Sequence, residues 1–103
     1  MLRRRRFAEV IGRQLDLFVR DQLGLLEACD EAERAYDRAD RDEAEELFGD
    51  YQDLVETGTE ILADLRDNFA STLDEASAEE YEDEFNRAVT KRLPRFGLEI
   101  ENR

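Results

Sequence analysis

Two apolar stripes that mirror each other constrain this 103-residue chain more than any other feature. In the first half they fall at Ile11, Leu15, Phe18, Gln22, Leu25, Cys29, Ala32, Tyr36 and Ala39, in alternating steps of four and three. In the second half they fall at Ala44, Leu47, Tyr51, Leu54, Gly58, Ile61, Leu65, Phe69 and Thr72, with nearly the same alternation. That spacing is the period of a left-handed helical seam. Folding the chain back near residue 40 pairs the stripes rung by rung: Tyr36 with Ala44, Cys29 with Tyr51, Leu25 with Leu54, Phe18 with Ile61, Leu15 with Leu65, Ile11 with Phe69. The expectation is an all-α chain built on a long antiparallel helical hairpin, with helix 1 over about residues 3–38 and helix 2 over about 41–71. Asp40 or Asp42 is placed to cap the second helix, with Glu43, Glu45 and Glu46 in its positive first turn.

A third, shorter helix follows. Ser77-x-x-Glu80 is a capping box, and Ala78, Tyr81, Phe85, Ala88, Val89 and Leu93 then repeat at helical spacing until Pro94 stops the run. This helix, over about 78–93, is expected to lie antiparallel to helix 2 and cover the end of the hairpin that carries Phe7 to Phe18 and Ile61 to Leu73. The result is a single domain over residues 1–103 resembling a three-helix bundle. The tail, residues 94–103, alternates apolar and acidic side chains. It is read as extending along a groove, adding an edge strand to a partner, or staying loose. Gly12 and Gly24 lie within helix 1 at a cost of about 1 kcal/mol each. Gly58 falls on the stripe opposite Gln22, where a missing side chain lets helices approach or makes room for the amide.

The charge balance separates function classes. There are 28 acidic residues against 15 basic ones, no histidine, and a formal net charge of −13. Residues 1–20 hold six arginines and two acids, residues 21–90 hold 24 acids and five arginines, and residues 91–103 are again net basic. Such a body repels nucleic acid and anionic membranes within about one Debye length, roughly 8 Å at physiological salt. Only Lys91 is a lysine. Acid excess with lysine depletion suits a cytoplasm at molar salt, where repulsion is screened; a GC-rich genome accounts for the arginines but not for the acids. No apolar run approaches the roughly 20 residues of a membrane span. Four arginines near the start resemble the charged region of a signal peptide, but no continuous apolar segment follows them. The expected location is cytoplasmic, away from membranes.

Few catalytic chemistries fit. Without histidine there is no Ser–His or Cys–His nucleophile, and without Glu-x-x-His pairs no di-iron bundle. The glycines are scattered, so no phosphate loop is present. Cys29 is the only cysteine, which excludes an internal disulfide, and it falls on the seam as a small buried hydrophobe. What remains is carboxylate chemistry with an oxygen-loving cation such as Mg²⁺ or Mn²⁺. Glu43 with Glu46, and Glu60 with Asp64, stand at same-face spacing, with Asp50 and Asp53 between them. Paired acids of this kind resemble those of the all-α nucleoside triphosphate pyrophosphohydrolases. In that family they sit on separate helices converging on one site, whereas here all lie on one helix. A solvated acidic face accounts for them in a chain over a quarter acidic.

Two surface features remain. Arg3, Arg4, Arg5 and Arg6 form a basic arm at the positive end of a helix, an unfavourable place for cations. Acids at the start of helix 3 (Glu79, Glu80, Asp83, Glu84), or those of a second copy, would compensate it; nucleic-acid phosphate is the weaker alternative. Helix 3 is also too short to cover the turn-proximal half of the hairpin. Leu26, Leu47, Phe48, Tyr51 and Val55 are therefore expected to include an uncovered apolar strip, closed by homodimerisation. The resulting expectation is a non-enzymatic interaction protein with no cofactor: an adaptor, small regulator or assembly subunit. A carboxylate-dependent nucleotide hydrolase assembled across a dimer is the alternative, and a nucleic-acid regulator using the arginine arm a third.

Overall fold

The computed structural model describes residues 6–103, all in helices and short connections. Four α-helices run α1 (Ala8–Asp21), α2 (Leu23–Arg38), α3 (Arg41–Ala70) and α4 (Glu75–Arg92). A 3₁₀ turn over Pro94–Phe96 leads into a last short helix, α5 (Gly97–Glu101). Of the arm, Arg3, Arg4 and Arg5 lie outside the described residues.

Local chemistry sets the helix starts. The Asp40 carboxylate accepts the Glu43 backbone N–H at 3.2 Å, capping α3, whose first turn holds Asp42 and Glu43 against the positive helix end. At α4 the cap is Asp74, not Ser77. Its carboxylate accepts the Ser77 N–H at 2.8 Å and the Ser77 hydroxyl at 3.2 Å, and the helix begins three residues earlier than the capping box implied. A carboxylate so placed outcompetes a hydroxyl for the orphan N–H groups. These hydrogen bonds hold the Asp74 carboxyl below its ordinary range.

The hairpin forms with its turn at Ala39–Asp40, but its first helix is two helices. Gln22 departs from helical geometry (φ −112°, ψ 28°) while still donating to the Phe18 carbonyl at 2.8 Å and accepting from Leu26 N–H at 3.0 Å. The helix is interrupted there while these two backbone hydrogen bonds persist. Beyond the break α2 packs along α3, whereas α1 leans mainly on α4. α1 and α4 run parallel: Arg6 reaches Ser77 and Glu80 at one end, and Asp16 meets Arg92 at the other.

Phe96 accounts for the divergence of α1 from α3. Its ring meets Phe18 edge-on, with centroids 5.9 Å apart, and lies over Gly58. A Cβ at Gly58 would sit 2.5 Å from Phe96 Cε1. The glycine opposite the seam thus makes room for an aromatic ring from the tail, not for Gln22. The tail itself is neither strand nor loose coil. Phe96, Gly97 and Ile100 are buried, and Gly97 fits because any Cβ there would lie 2.8 Å from the Thr90 hydroxyl.

The tail also shifts the buried face of α3. The predicted stripe positions Leu54, Ile61, Leu65 and Phe69 are half-buried, while Gly58 of the stripe and the adjacent face (Val55, Thr59, Leu62, Ala63, Arg66, Ala70) go deepest. The hairpin seam occupies one side of α3, and α4 with the tail occupies the next, so the deepest positions fall where all meet. Phe7, Phe69, Tyr81 and Phe85 form an aromatic cluster, with Phe7 edge-on to Phe69 and Tyr81 and the other pairs tilted. Thr59 is satisfied inside this core by donating to the Val55 carbonyl at 2.8 Å.

Candidate functional site

At the tip of the hairpin, Tyr36 and Phe48 meet in a tilted pair across α2 and α3 with ring centroids 5.2 Å apart, yet remain 38% and 41% exposed. Of the other residues expected in the uncovered strip, Leu26, Leu47 and Tyr51 are half-buried. Val55 is buried, at 6% exposure, which corrects its assignment to an open surface. The tail reaches further along the hairpin than α4 does and removes most of that strip from solvent. What is left is a compact aromatic tip bordered by Asp37, Asp40 and Glu45, all exposed.

Arg95 contributes to this covering at Tyr51. From the 3₁₀ turn it donates to the Tyr51 hydroxyl (3.1 Å), Asp30 (2.9 Å) and Glu33 (2.8 Å), and its guanidinium lies 5.7 Å from the Tyr51 ring centroid. Burial works against its charge, but the bonds to Tyr51, Asp30 and Glu33 prevail and hold its pKa above the ordinary value. Cys29 is fully buried nearby. Burial pushes its thiol up, with Arg95 pulling the other way, so it is a packing residue and a poor nucleophile.

A second surface lies between α1 and α4, where parallel helices leave a half-open groove of about 780 Å³. Ile11 and Leu15 lie beneath it, already buried by the fold, with Ala8, Gly12 and Ala88 as small residues lining it; Arg87, Lys91 and Arg92 form a basic rim on the α4 side. Glu84, at the groove's end, accepts the Phe7 backbone N–H at 3.2 Å. Arg92 pairs with Asp16 at 2.6 Å, a contact exposed enough to be worth little in water. A Cβ on Gly12 would meet nothing within 4 Å. Here, unlike at Gly58, the fold itself does not require glycine.

The candidate metal ligands are not brought together. Glu43, Glu46, Glu60 and Asp64 are all exposed along α3, and the two pairs stand about 25 Å apart at 1.5 Å per residue. Among the described residues no three carboxylates or cysteines converge as a metal ligand set would. Of the basic arm, Arg6 is described. It donates to Ser77 at 3.1 Å and Glu80 at 3.4 Å and lies 4.9 Å from the Phe7 ring centroid. Among the described residues no helix is long and apolar enough to cross a membrane.

Two important positions were not singled out from the sequence. Arg66 falls off the α3 stripe, in a long acidic helix, and nothing local marks it as buried. The groove had a faint signal: Ala8 and Gly12 one turn apart beside the apolar Ile11 and Leu15, and Arg87 and Lys91 one turn apart on the third helix. Compared with protein-family models, curated proteins and solved structures, the chain matches none.

Proposed function

We propose that this chain is a non-enzymatic helical interaction protein, acting as an adaptor, small regulator or assembly subunit, and that its working surface is the α1–α4 groove. One observation carries the reading: an apolar-floored cleft with a basic rim on a molecule whose net charge is −13. Grooves of this form receive an amphipathic segment, its apolar side chains on the floor and its charges at the rim. The carboxylates that a nucleotide hydrolase would need are dispersed along α3, which favours binding over catalysis as the chain's work.

Self-association is the second reading, favoured by the exposed Tyr36–Phe48 pair. In this reading the working state is a homodimer or longer assembly, in a cytoplasm whose salt screens the repulsion between acidic copies.

The test uses Gly12→Leu, which fills the groove at a position where the fold has room. A photo-crosslinking side chain at Arg87 in the protein's own cells is expected to give a discrete adduct, absent when Gly12→Leu is added. Loss of the adduct with an unchanged helical spectrum and melting supports the groove as the working surface. An adduct that persists removes the groove from that role.

A further inference from the structure

We propose that the α1–α4 groove receives the hairpin tip of a second copy of this chain, so that copies associate head to tail. The inference rests on the groove being the working surface, and it names the occupant.

The two surfaces complement each other. The groove is concave, with Ile11 and Leu15 beneath it and Arg87 and Lys91 on its rim. Neither cation has an ion pair among the described residues, although 28 acids are available in the chain. They stand one turn apart on α4, a like-charge spacing that disfavours the helix. The helix end accounts for Lys91 in the last turn, where cations suit the dipole, but not for Arg87.

The tip is convex and presents an aromatic pair that its own fold leaves over one-third exposed. Between residues 37 and 46 it carries six acids against two arginines. An apolar pair ringed by acids thus meets an apolar floor rimmed by bases, the arrangement that fixes register and suppresses other pairings. Tip and groove are different patches on one molecule, with the tip at the end of a body 53 Å long. A contact between unlike patches does not close as a two-fold dimer; it repeats. The contact is small, of the class below about 1,200 Å² in total, so the association is weak and is sought at high concentration.

Because the interface joins unlike patches, complementation between variants tests it. Sedimentation equilibrium at moderate salt, up to several hundred micromolar, is expected to show wild-type mass rising past the dimer. Arg87→Glu/Lys91→Glu disables the groove, Phe48→Ser disables the tip, and each alone is expected to weaken association at least tenfold. Mixed one to one, each supplies the half the other lacks, and a heterodimer that stops at two copies is expected. Melting curves verify that both variants fold, and Gly12→Leu stands in for the groove variant if the charge reversal does not.

A wild-type chain that stays monomeric overturns the proposal, as does a mixture that fails to restore association. A dimer lost in the tip variant but intact in the groove variant would mean a tip-to-tip contact and also sinks it. If wild type is monomeric while Gly12→Leu still abolishes the Arg87 adduct in cells, the groove keeps its role and only this occupant is wrong.

Discussion

From near the C-terminal end of α3, the Arg66 guanidinium donates to the backbone carbonyl of Ile100, 3.1 Å away in α5, and is itself only 4% exposed. The same nitrogen donates to the Asn86 side chain on α4 at 3.0 Å, and Nε donates to Asp67 at 2.9 Å. One buried cation thus links three helices and sits at the negative end of the last of them.

Arg66→Ala would leave the Ile100 carbonyl and Asn86 amide without their charged donor. Hydrogen bonds to charged groups contribute about 1.5–3 kcal/mol, and an unsatisfied buried acceptor costs further. We expect a stability loss of roughly 2–4 kcal/mol in denaturant unfolding, and faster amide exchange over residues 97–102. Arg66→Lys should recover little, because a point charge cannot reproduce the planar fork. Full rescue by lysine would refute the geometric role.

Two glycine substitutions should have opposite signs. Gly58→Ala drives a Cβ into the Phe96 ring, and overpacking of this kind costs about 1–3 kcal/mol. Gly12→Ala, in open space on α1, should stabilise by up to about 1 kcal/mol through helix propensity. In the Phe96→Leu background the Gly58→Ala penalty should shrink, a coupling that a double-mutant cycle reads directly. Equal penalties in both backgrounds would place the ring elsewhere.

Tyr81 is fully buried and donates from its hydroxyl to Gln14 at 2.8 Å. Burial pushes its pKa up to about 12 from an ordinary 10. The neutral form is the one the fold favours, so its contribution to stability is complete below pH 10. That contribution is lost as the pH rises from about 10 to 12. Stability measured across this window should fall, and Tyr81→Phe should flatten that part of the curve. A decline of the same size in the Tyr81→Phe chain would assign it to other groups.

The acidic body should make stability depend on salt. With 24 acids against five arginines between residues 21 and 90, self-repulsion opposes compaction and screening relieves it. Tm should climb as potassium chloride rises from low to molar concentration. A flat or falling curve would leave codon usage as the account of the arginines and remove the salt-adaptation reading.

If carboxylates on α3 did act on nucleotides, Mg²⁺- or Mn²⁺-dependent hydrolysis of nucleoside triphosphates would depend on Glu43 and Glu60. With these acids dispersed along one helix, phosphate or pyrophosphate release above background is not expected. Turnover that Glu43→Gln or Glu60→Gln abolishes would replace the interaction reading with the enzymatic one.

The sequence made the hairpin legible because a 3–4 alternation over thirty residues leaves a helix few alternatives, and Asp40 marked its turn. The third helix was legible from Tyr81, Phe85 and Val89, with its start displaced because Asp74 competes with Ser77 for the same N–H groups. Of the readings open to the tail, strand and loose coil are excluded. Phe96, Leu98 and Ile100 alternate as in a strand, but Pro94 opens a 3₁₀ turn and the buried pair is Phe96 with Ile100, one helical turn apart. Val55 was misplaced for the same reason, since what covers α3 comes from that tail. The groove rests on the relative placement of α1 and α4, a tertiary relation that neither periodicity encodes.

The break at Gln22 divides the first arm of the hairpin into parts with different folding histories. α2 meets α3 across a two-residue turn, so that pairing requires almost no search through the chain. The ties of α1 are distant: Gln14 waits for Tyr81, 67 positions away, and Asp16 for Arg92, 76 away. Such contacts form only after a large loop has closed. The hairpin is therefore expected to assemble first and α1 to dock last, with its amides the sooner to exchange, and the floor of the groove is a late product of folding.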